Sequence, residues 1–209
     1  MIPVVYVHGL WMPGDESVVL RHRLGQEFGY SLHSFRYSTA FSSLQTTTER
    51  LAAFVAALGA PQVHFVGHSL GGLIIYRLLE RFPEQPPGRV VFMGTPCVAS
   101  RAAEQAARFA PVAQLMGPVV AHELLQRRER QWTQPRELGI IAGSQPLGVG
   151  QLLAQFTEDN DGTVAVSETR MPGATDHLVL PVSHLGLLMS ADAALQVGRF
   201  LHEGRFGLR

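Results

Sequence analysis

The chain alternates short apolar runs with longer stretches of helical periodicity, and few folds are compatible with that order. The apolar runs are nearly continuous, which is typical of strands buried on both faces and not of strands with one face in water. A mostly parallel sheet covered by helices on both faces accounts for both features. We therefore predict an α/β fold that forms a single domain over residues 1–209.

These patterns predict a sheet of about six strands and four helices outside any insertion. The predicted strands span residues 4–7, 32–37, 63–66, 90–93, 138–142 and 178–182. The predicted helices span residues 18–28, 44–58, 70–82 and 192–202.

The segment 97–135 lies between the fourth and fifth strands and is longer than a simple crossover requires. Its apolar spacing indicates a helical insertion of two helices, followed by a basic tail. The apolar positions are Ala102, Ala103, Ala106, Ala107, Phe109, Val112, Leu115, Met116, Val119, Val120, Leu124 and Leu125, and the basic ones are Arg127, Arg128 and Arg130. Two interpretations stay open: the helices cover the sheet, or they form a cap over a site.

Composition excludes several classes of function. With 17 basic and 17 acidic side chains, the chain lacks the charge excess typical of nucleic-acid binding. The single cysteine, Cys97, excludes an internal disulfide framework and a cysteine-rich zinc site. No apolar run reaches the roughly 18 residues of a membrane span. The N-terminus leads into the first strand without a signal-peptide pattern, so we expect a cytoplasmic protein.

The strongest local motif is Gly-x-Ser-x-Gly, formed by Gly67, Ser69 and Gly71 between a predicted strand and a predicted helix. A serine in so sharp a turn has a strained backbone, and a Cβ at either glycine would collide with neighbouring chain. The turn exposes the Ser69 hydroxyl. It also places the Leu70 amide at a helix N-terminus, where N–H groups and the helix dipole favour an oxyanion.

A tetrahedral oxyanion needs a second donor, from a loop near the carboxyl end of the first strand. His8, Gly9 and Leu10 lie there, and a tight bend at Gly9 would turn the Leu10 N–H inward. The same three residues also suit an ordinary turn leaving a strand.

A serine nucleophile requires a base and an acid that orients it. His184 follows the last predicted strand, where its side chain can reach the carboxyl edge of the sheet, whereas His177 opens that strand and belongs to the opposite edge. Asp161 lies in a polar loop, and Asp159 competes with it as the acid. The other histidines are interpreted as loop-orienting (His8 and His68) or as surface and helix-face residues (His22, His33, His64, His122 and His202).

The motifs Gly67-His68-Ser69-Leu70-Gly71-Gly72, His8-Gly9-Leu10, Asp161-Gly162-Thr163-Val164 and Ser183-His184-Leu185-Gly186 occur in the order serine, acid, histidine. In this order they resemble the α/β-hydrolase fold, in particular small bacterial lipase and esterase-like members. The resemblance runs nearly end to end and implies a minimal sheet with a helical insertion after its fourth strand. It also implies Ser69 as nucleophile, Asp161 as acid, His184 as base, and the Leu10 and Leu70 amides as oxyanion donors.

The function implied is hydrolysis of uncharged carboxylic esters through an acyl-enzyme, without a metal or organic cofactor. The apolar insertion and the near-neutral chain favour a hydrophobic, small-molecule acyl substrate. Trp11, Met12 and Phe41 are candidate pocket residues, although such side chains often serve packing alone. Cleavage of acyl thioesters by the same residues is the nearest alternative, and a non-catalytic, hydrolase-like binding module is the second. The sequence leaves the oligomeric state open.

Overall fold

A computed structural model describes residues 1–98, 100–108, 119, 123–124, 130–147 and 156–207. Its six strands form one sheet in the order β2-β1-β3-β4-β5-β6, and every neighbouring pair is parallel. The strands are β1 (Pro3–Val7), β2 (Ser31–Phe35), β3 (His64–His68), β4 (Val90–Met93), β5 (Leu138–Gly143) and β6 (Asp176–Leu180). The α/β class and the six-stranded parallel sheet are therefore confirmed.

Helices cover both faces of the sheet. One apolar cluster lies between the sheet and α2, α3 and α4, and a second lies between the opposite face and α1, α5 and α6. The helices are α1 (Val18–Phe28), α2 (Leu44–Ala57), α3 (Leu70–Arg81), α4 (Arg101–Ala106), α5 (Gly186–Met189) and α6 (Ala191–Glu203). None of the described helices is long and apolar enough to cross a membrane.

Element boundaries differ from the prediction where hydrogen bonding outweighs apolar composition. The third strand continues past residue 66 through Gly67 and His68, because both pair with β4. The last strand starts at Asp176, earlier than predicted, because Asp176 pairs with Gly139 of β5. It ends at Leu180, before Pro181, which has no N–H to donate to the sheet.

The strand order reverses direction at β1. The chain passes from β1 to β2 on one side and then crosses back to β3 on the other, so β1 and β3 are neighbours. Loops that leave the carboxyl ends of two such strands diverge and open a crevice between them, where ligands bind in open α/β sheets. Residues 8–10 follow β1 and Ser69 follows β3, so both predicted site motifs lie at this crevice.

The described part of the predicted insertion is attached to α3 by a buried ion network. Glu123 accepts from Arg77 Nε at 2.9 Å and from Arg130 Nη2 at 3.0 Å. The guanidinium of Arg130 also donates to the carbonyl of Cys97 at 3.0 Å. Arg130, which the sequence analysis placed in a basic tail, is buried, and its charge is neutralised inside the protein.

Much of the predicted two-helix arrangement lies outside the described residues. Within them, α4 buries its predicted apolar positions Ala102, Ala103 and Ala106, and Val119 and Leu124 are also buried. The predicted positions Phe109, Val112, Leu115, Met116, Val120, His122, Leu125, Arg127 and Arg128 lie outside the described residues. Whether the segment acts as a cap stays a prediction.

His64 is buried in β3, which corrects its interpretation as a surface residue. Its Nδ1 accepts the Arg89 N–H at 2.8 Å, and its ring packs edge-on against Tyr30. Burial, with the cations of Arg89 and Arg136 nearby, lowers the pKa of His64 to about 4. The sequence did not predict the burial of His64, because a histidine inside an apolar strand requires a specific partner, and another segment of the chain supplies that partner.

This burial predicts acid lability. The unfolded pKa of histidine is about 6.5, so the unfolded chain takes up a proton at His64 before the folded chain does, and stability falls as pH drops from that value toward 4. Urea unfolding should be compared at pH 7 and pH 5 for wild type and for His64→Asn, which keeps an acceptor for Arg89. Between these pH values the wild type should lose on the order of 1–2 kcal/mol more stability than the variant. An equal loss in both proteins would contradict the assignment.

Candidate active site

Ser69 sits in a strained turn between β3 and α3, with φ 53° and ψ −124°. Backbone in this region costs about 1–3 kcal/mol and persists only where the surroundings enforce it. The surroundings are tight: a Cβ at Gly67 would lie 2.5 Å from the Gly72 backbone, and one at Gly71 would lie 2.0 Å from the Val7 carbonyl oxygen. The glycines of the motif are therefore required sterically, as the sequence predicts.

Hydrogen bonds hold the backbone of this turn. The Ser69 N–H donates to the Met93 carbonyl at 2.9 Å, and the Ser69 carbonyl accepts from the Thr95 hydroxyl at 2.9 Å and from the Gly72 N–H at 3.1 Å. Thr95 was not among the predicted site residues. The signal for it was a hydroxyl side chain two residues after the end of β4; in the structure that hydroxyl is buried and needs a partner.

The loop after β1 is ordered by His8. His8 Nδ1–H donates to the Gly9 carbonyl at 2.8 Å, its Nε2 accepts the Tyr37 N–H at 3.3 Å, and the two rings stack at 4.4 Å. Burial lowers the pKa of His8, so the ring stays neutral and can accept this bond. The Gly9 carbonyl and the Leu10 N–H belong to one trans peptide, in which they point in opposite directions. The hydrogen bond that holds the Gly9 carbonyl toward the His8 ring therefore turns the Leu10 N–H away from it. A Cβ at Gly9 would lie 3.1 Å from Ser69 Cβ, which places this loop against the serine.

Asp161 and His184 form a direct hydrogen bond of 2.7 Å between Oδ2 and Nδ1. Because a carboxylate only accepts, Nδ1 carries the proton and Nε2 is left as an acceptor. The other oxygen, Oδ1, accepts the N–H groups of Thr163 at 2.9 Å and Val164 at 2.7 Å. The His184 N–H donates to the Asp161 carbonyl at 2.8 Å. A Cβ at Gly94 would lie 3.0 Å from His184 Nδ1, and Gly94 has a φ of 58°, so a larger residue there would be strained and would crowd the pair.

The two competing residues lie elsewhere. Asp159 is exposed, and its carbonyl accepts the Val166 N–H. His177 is at the start of β6, on the opposite edge of the sheet, where its Nε2 pairs with the Thr169 hydroxyl at 2.8 Å. Of the two carboxylates weighed from the sequence, Asp161 is therefore the one that contacts His184.

His68 packs directly on His184. The ring centroids are 4.6 Å apart, and His68 Nε2–H donates to the His184 carbonyl at 3.0 Å. His68 is fully buried, and burial with the nearby His184 lowers its pKa to about 3. Because His68 immediately precedes Ser69, this contact brings the Asp161–His184 pair to the serine turn.

The predicted pocket residues occupy different environments. Phe41 is 92% exposed and Trp11 is 58% exposed, and Trp11 is, with Ser69, one of two described non-glycine residues with positive φ. Met12 is half-buried and packs against the second apolar cluster, which gives it a packing role. A substrate-binding role for these three residues stays a prediction. The described residues contain no group of three or more side chains suited to a metal ion.

A sequence profile described as the alpha/beta hydrolase family matches residues 4–205, nearly the whole chain. The chain belongs to the alpha/beta hydrolase family. The resemblance predicted from the motifs is thereby confirmed. No curated protein matches this chain significantly in sequence.

Solved structures share the hydrolase fold at low sequence identity. The mature form of the Bacillus licheniformis lipase BlEst2 superposes with a TM-score of 0.74 at 20% identity, covering 96% of this chain and 91% of the lipase. The Legionella pneumophila phospholipase PlaB gives 0.67 at 13% identity, covering 96% and 59%. A meta-cleavage product hydrolase from Pseudomonas fluorescens gives 0.67 at 16% identity, covering 98% and 92%. At these identities the likeness establishes the fold.

Proposed function

We propose that this protein is a serine hydrolase that cleaves carboxylic esters of hydrophobic acyl substrates through an acyl-enzyme intermediate. The observation that carries the proposal is the position of His184. Its Nδ1 is held by the Asp161 carboxylate, and its ring lies against the residue that precedes the strained Ser69. A relay from the Ser69 hydroxyl through the His184 imidazole to the Asp161 carboxylate would activate the serine as a nucleophile.

In the proposed reaction, Ser69 Oγ attacks the ester carbonyl carbon while His184 Nε2 accepts the hydroxyl proton. The tetrahedral oxyanion accepts hydrogen bonds from the N–H groups of Leu10 and Leu70, and Leu70 is the first residue of α3. His184 then protonates the departing alkoxide, which leaves an acyl group on Ser69. Water attacks this acyl-enzyme with His184 again as the base, and the carboxylic acid departs.

Apolar surface near the crevice supports a hydrophobic acyl group. Trp11 follows β1 and Phe41 follows β2, so both belong to loops at the carboxyl edge of the sheet, where the serine turn also lies. A lipase and a phospholipase are among the structural neighbours, which agrees with an acyl-ester substrate.

Charge on the described part of the insertion favours esters over coenzyme A thioesters. A coenzyme A tail would need free cationic side chains. Arg130 is buried against Glu123, and Arg101 pairs with Glu158 at 2.8 Å. Two of the arginines that could have served a thioesterase are therefore already neutralised.

A substrate series tests the proposal and the thioester alternative together. We expect p-nitrophenyl butanoate and octanoate to be hydrolysed with kcat/KM at least about tenfold above that of the matching acyl-coenzyme A thioesters. A fluorophosphonate probe should label one residue, Ser69, identified by peptide mass spectrometry. Faster cleavage of the thioesters would favour the alternative activity, and absence of both turnover and labelling would reject a serine hydrolase.

A further inference from the structure

His68 is a buried polar residue whose hydrogen bonding is incomplete. Its Nε2–H donates to the His184 carbonyl at 3.0 Å, while its Nδ1 is buried without a partner in the described structure. An unpaired buried polar atom destabilises a fold, so its retention requires a reason. An apolar residue of similar size would avoid this cost but would lose the bond to His184.

The His68 ring touches two parts of the candidate site at once. On one side the ring packs against the imidazole of His184. On the other side lies Gly9, where a Cβ would be 3.3 Å from the unpaired His68 Nδ1. The ring therefore separates the loop after β1 from the loop after β6. A substitution at His68 would change the spacing between the Gly9 loop and His184.

The hydrogen bond from His68 to the His184 carbonyl also links the proposed base to the proposed nucleophile. His184 belongs to the loop after β6, which is three strands away from β3 in the sheet, with β4 and β5 between them. His68 is covalently adjacent to Ser69, so its bond to the His184 carbonyl ties that distant loop to the serine turn. Asp161 orients the imidazole ring, whereas His68 holds the backbone from which the ring projects.

We propose that His68 is a positioning residue that sets the distance between the His184 imidazole and the Ser69 hydroxyl, by donating Nε2–H to the His184 carbonyl. This inference rests on the proposed function, in which His184 is the base. The bare Nδ1 follows from the tautomer: a neutral ring that donates from Nε2 has no proton on Nδ1. Burial keeps the ring neutral, with a pKa of about 3, and this avoids a second cation beside the imidazolium that forms during catalysis.

Two matched variants separate positioning from packing. His68→Gln keeps an N–H donor at the distance of Nε2, and His68→Leu fills similar space without any donor. We expect His68→Leu to lower kcat for p-nitrophenyl butanoate by about tenfold to a hundredfold, with KM changed by less than about threefold. His68→Gln should recover most of that loss at comparable thermal stability.

A readout without substrate distinguishes failure of this proposal from failure of the hydrolase proposal. The proton shared by His184 and Asp161 should give a low-field NMR resonance in wild type and in His68→Gln, and a broadened or missing one in His68→Leu. Equal kcat and equal spectra in the two variants would overturn the positioning role. If no ester is turned over but the resonance follows the donor, His68 positions His184 and the hydrolase proposal fails alone.

Discussion

Replacing Ser69 with alanine should abolish ester turnover while leaving the protein folded. In the proposed mechanism the Ser69 hydroxyl is the protein group that bonds to the acyl carbon, so its removal eliminates the acyl-enzyme route. Loss of a serine nucleophile lowers kcat by about 10⁴-fold or more, with a residual rate from the oxyanion donors. Alanine can occupy the strained φ of 53° at a cost similar to that of serine, and the turn's backbone hydrogen bonds remain.

Initial rates with p-nitrophenyl butanoate, fluorophosphonate labelling and thermal melting together check this result. Ser38→Ala is a matched control, because Ser38 is exposed in a loop at the same edge of the sheet and its hydroxyl accepts the Phe41 N–H at 3.3 Å. The control should retain kcat within about threefold of wild type. Activity retained by Ser69→Ala with unchanged melting would rule out Ser69 as the nucleophile.

Asp161→Asn is expected to lower kcat by about 10²- to 10⁴-fold, because it inverts the tautomer of His184. Oδ1 of Asp161 accepts two backbone N–H groups, from Thr163 and Val164. In asparagine the carbonyl oxygen must keep that position, so the amide NH₂ turns toward His184 Nδ1. Nδ1 must then accept, Nε2 carries the proton, and His184 cannot take the Ser69 proton.

Asp159→Asn is the paired control for this substitution. Asp159 is two residues away in the same loop and is exposed, so removing its charge should change kcat by less than about threefold. Steady-state kinetics of the two variants, with circular dichroism to verify folding, give the comparison. A large loss in Asp159→Asn with none in Asp161→Asn would show that the acid is misassigned.

Much of the fold could be predicted because the decisive information is local. Apolar runs and helical periodicity depend on neighbouring residues, and α1 begins and ends at the predicted residues, Val18 and Phe28. Errors occurred where a distant partner decides the outcome. Asp176 joins β6 because Gly139 of β5 pairs with it, and His64 is buried because Arg89 supplies a donor.

The candidate site divides in the same way. The Ser69 turn was predictable because glycine, serine and helix start lie within a few residues, and steric crowding there permits few alternatives. The contact of Asp161 with His184 spans 23 residues, and that of His68 with His184 spans 116. Sequence reasoning alone left Asp159 and Asp161 as competitors, and only the resemblance to a family favoured one of them.

Local composition and periodicity thus sufficed for the class of fold, the order of most elements and the serine turn, because short-range sterics and hydrogen bonding govern each of them. Folding in three dimensions selected Asp161 over Asp159 as the partner of His184, buried Arg130 and set His68 against His184. Each of these depends on which loops meet at the carboxyl edge of the sheet, and that meeting follows from strand order and packing across the whole chain.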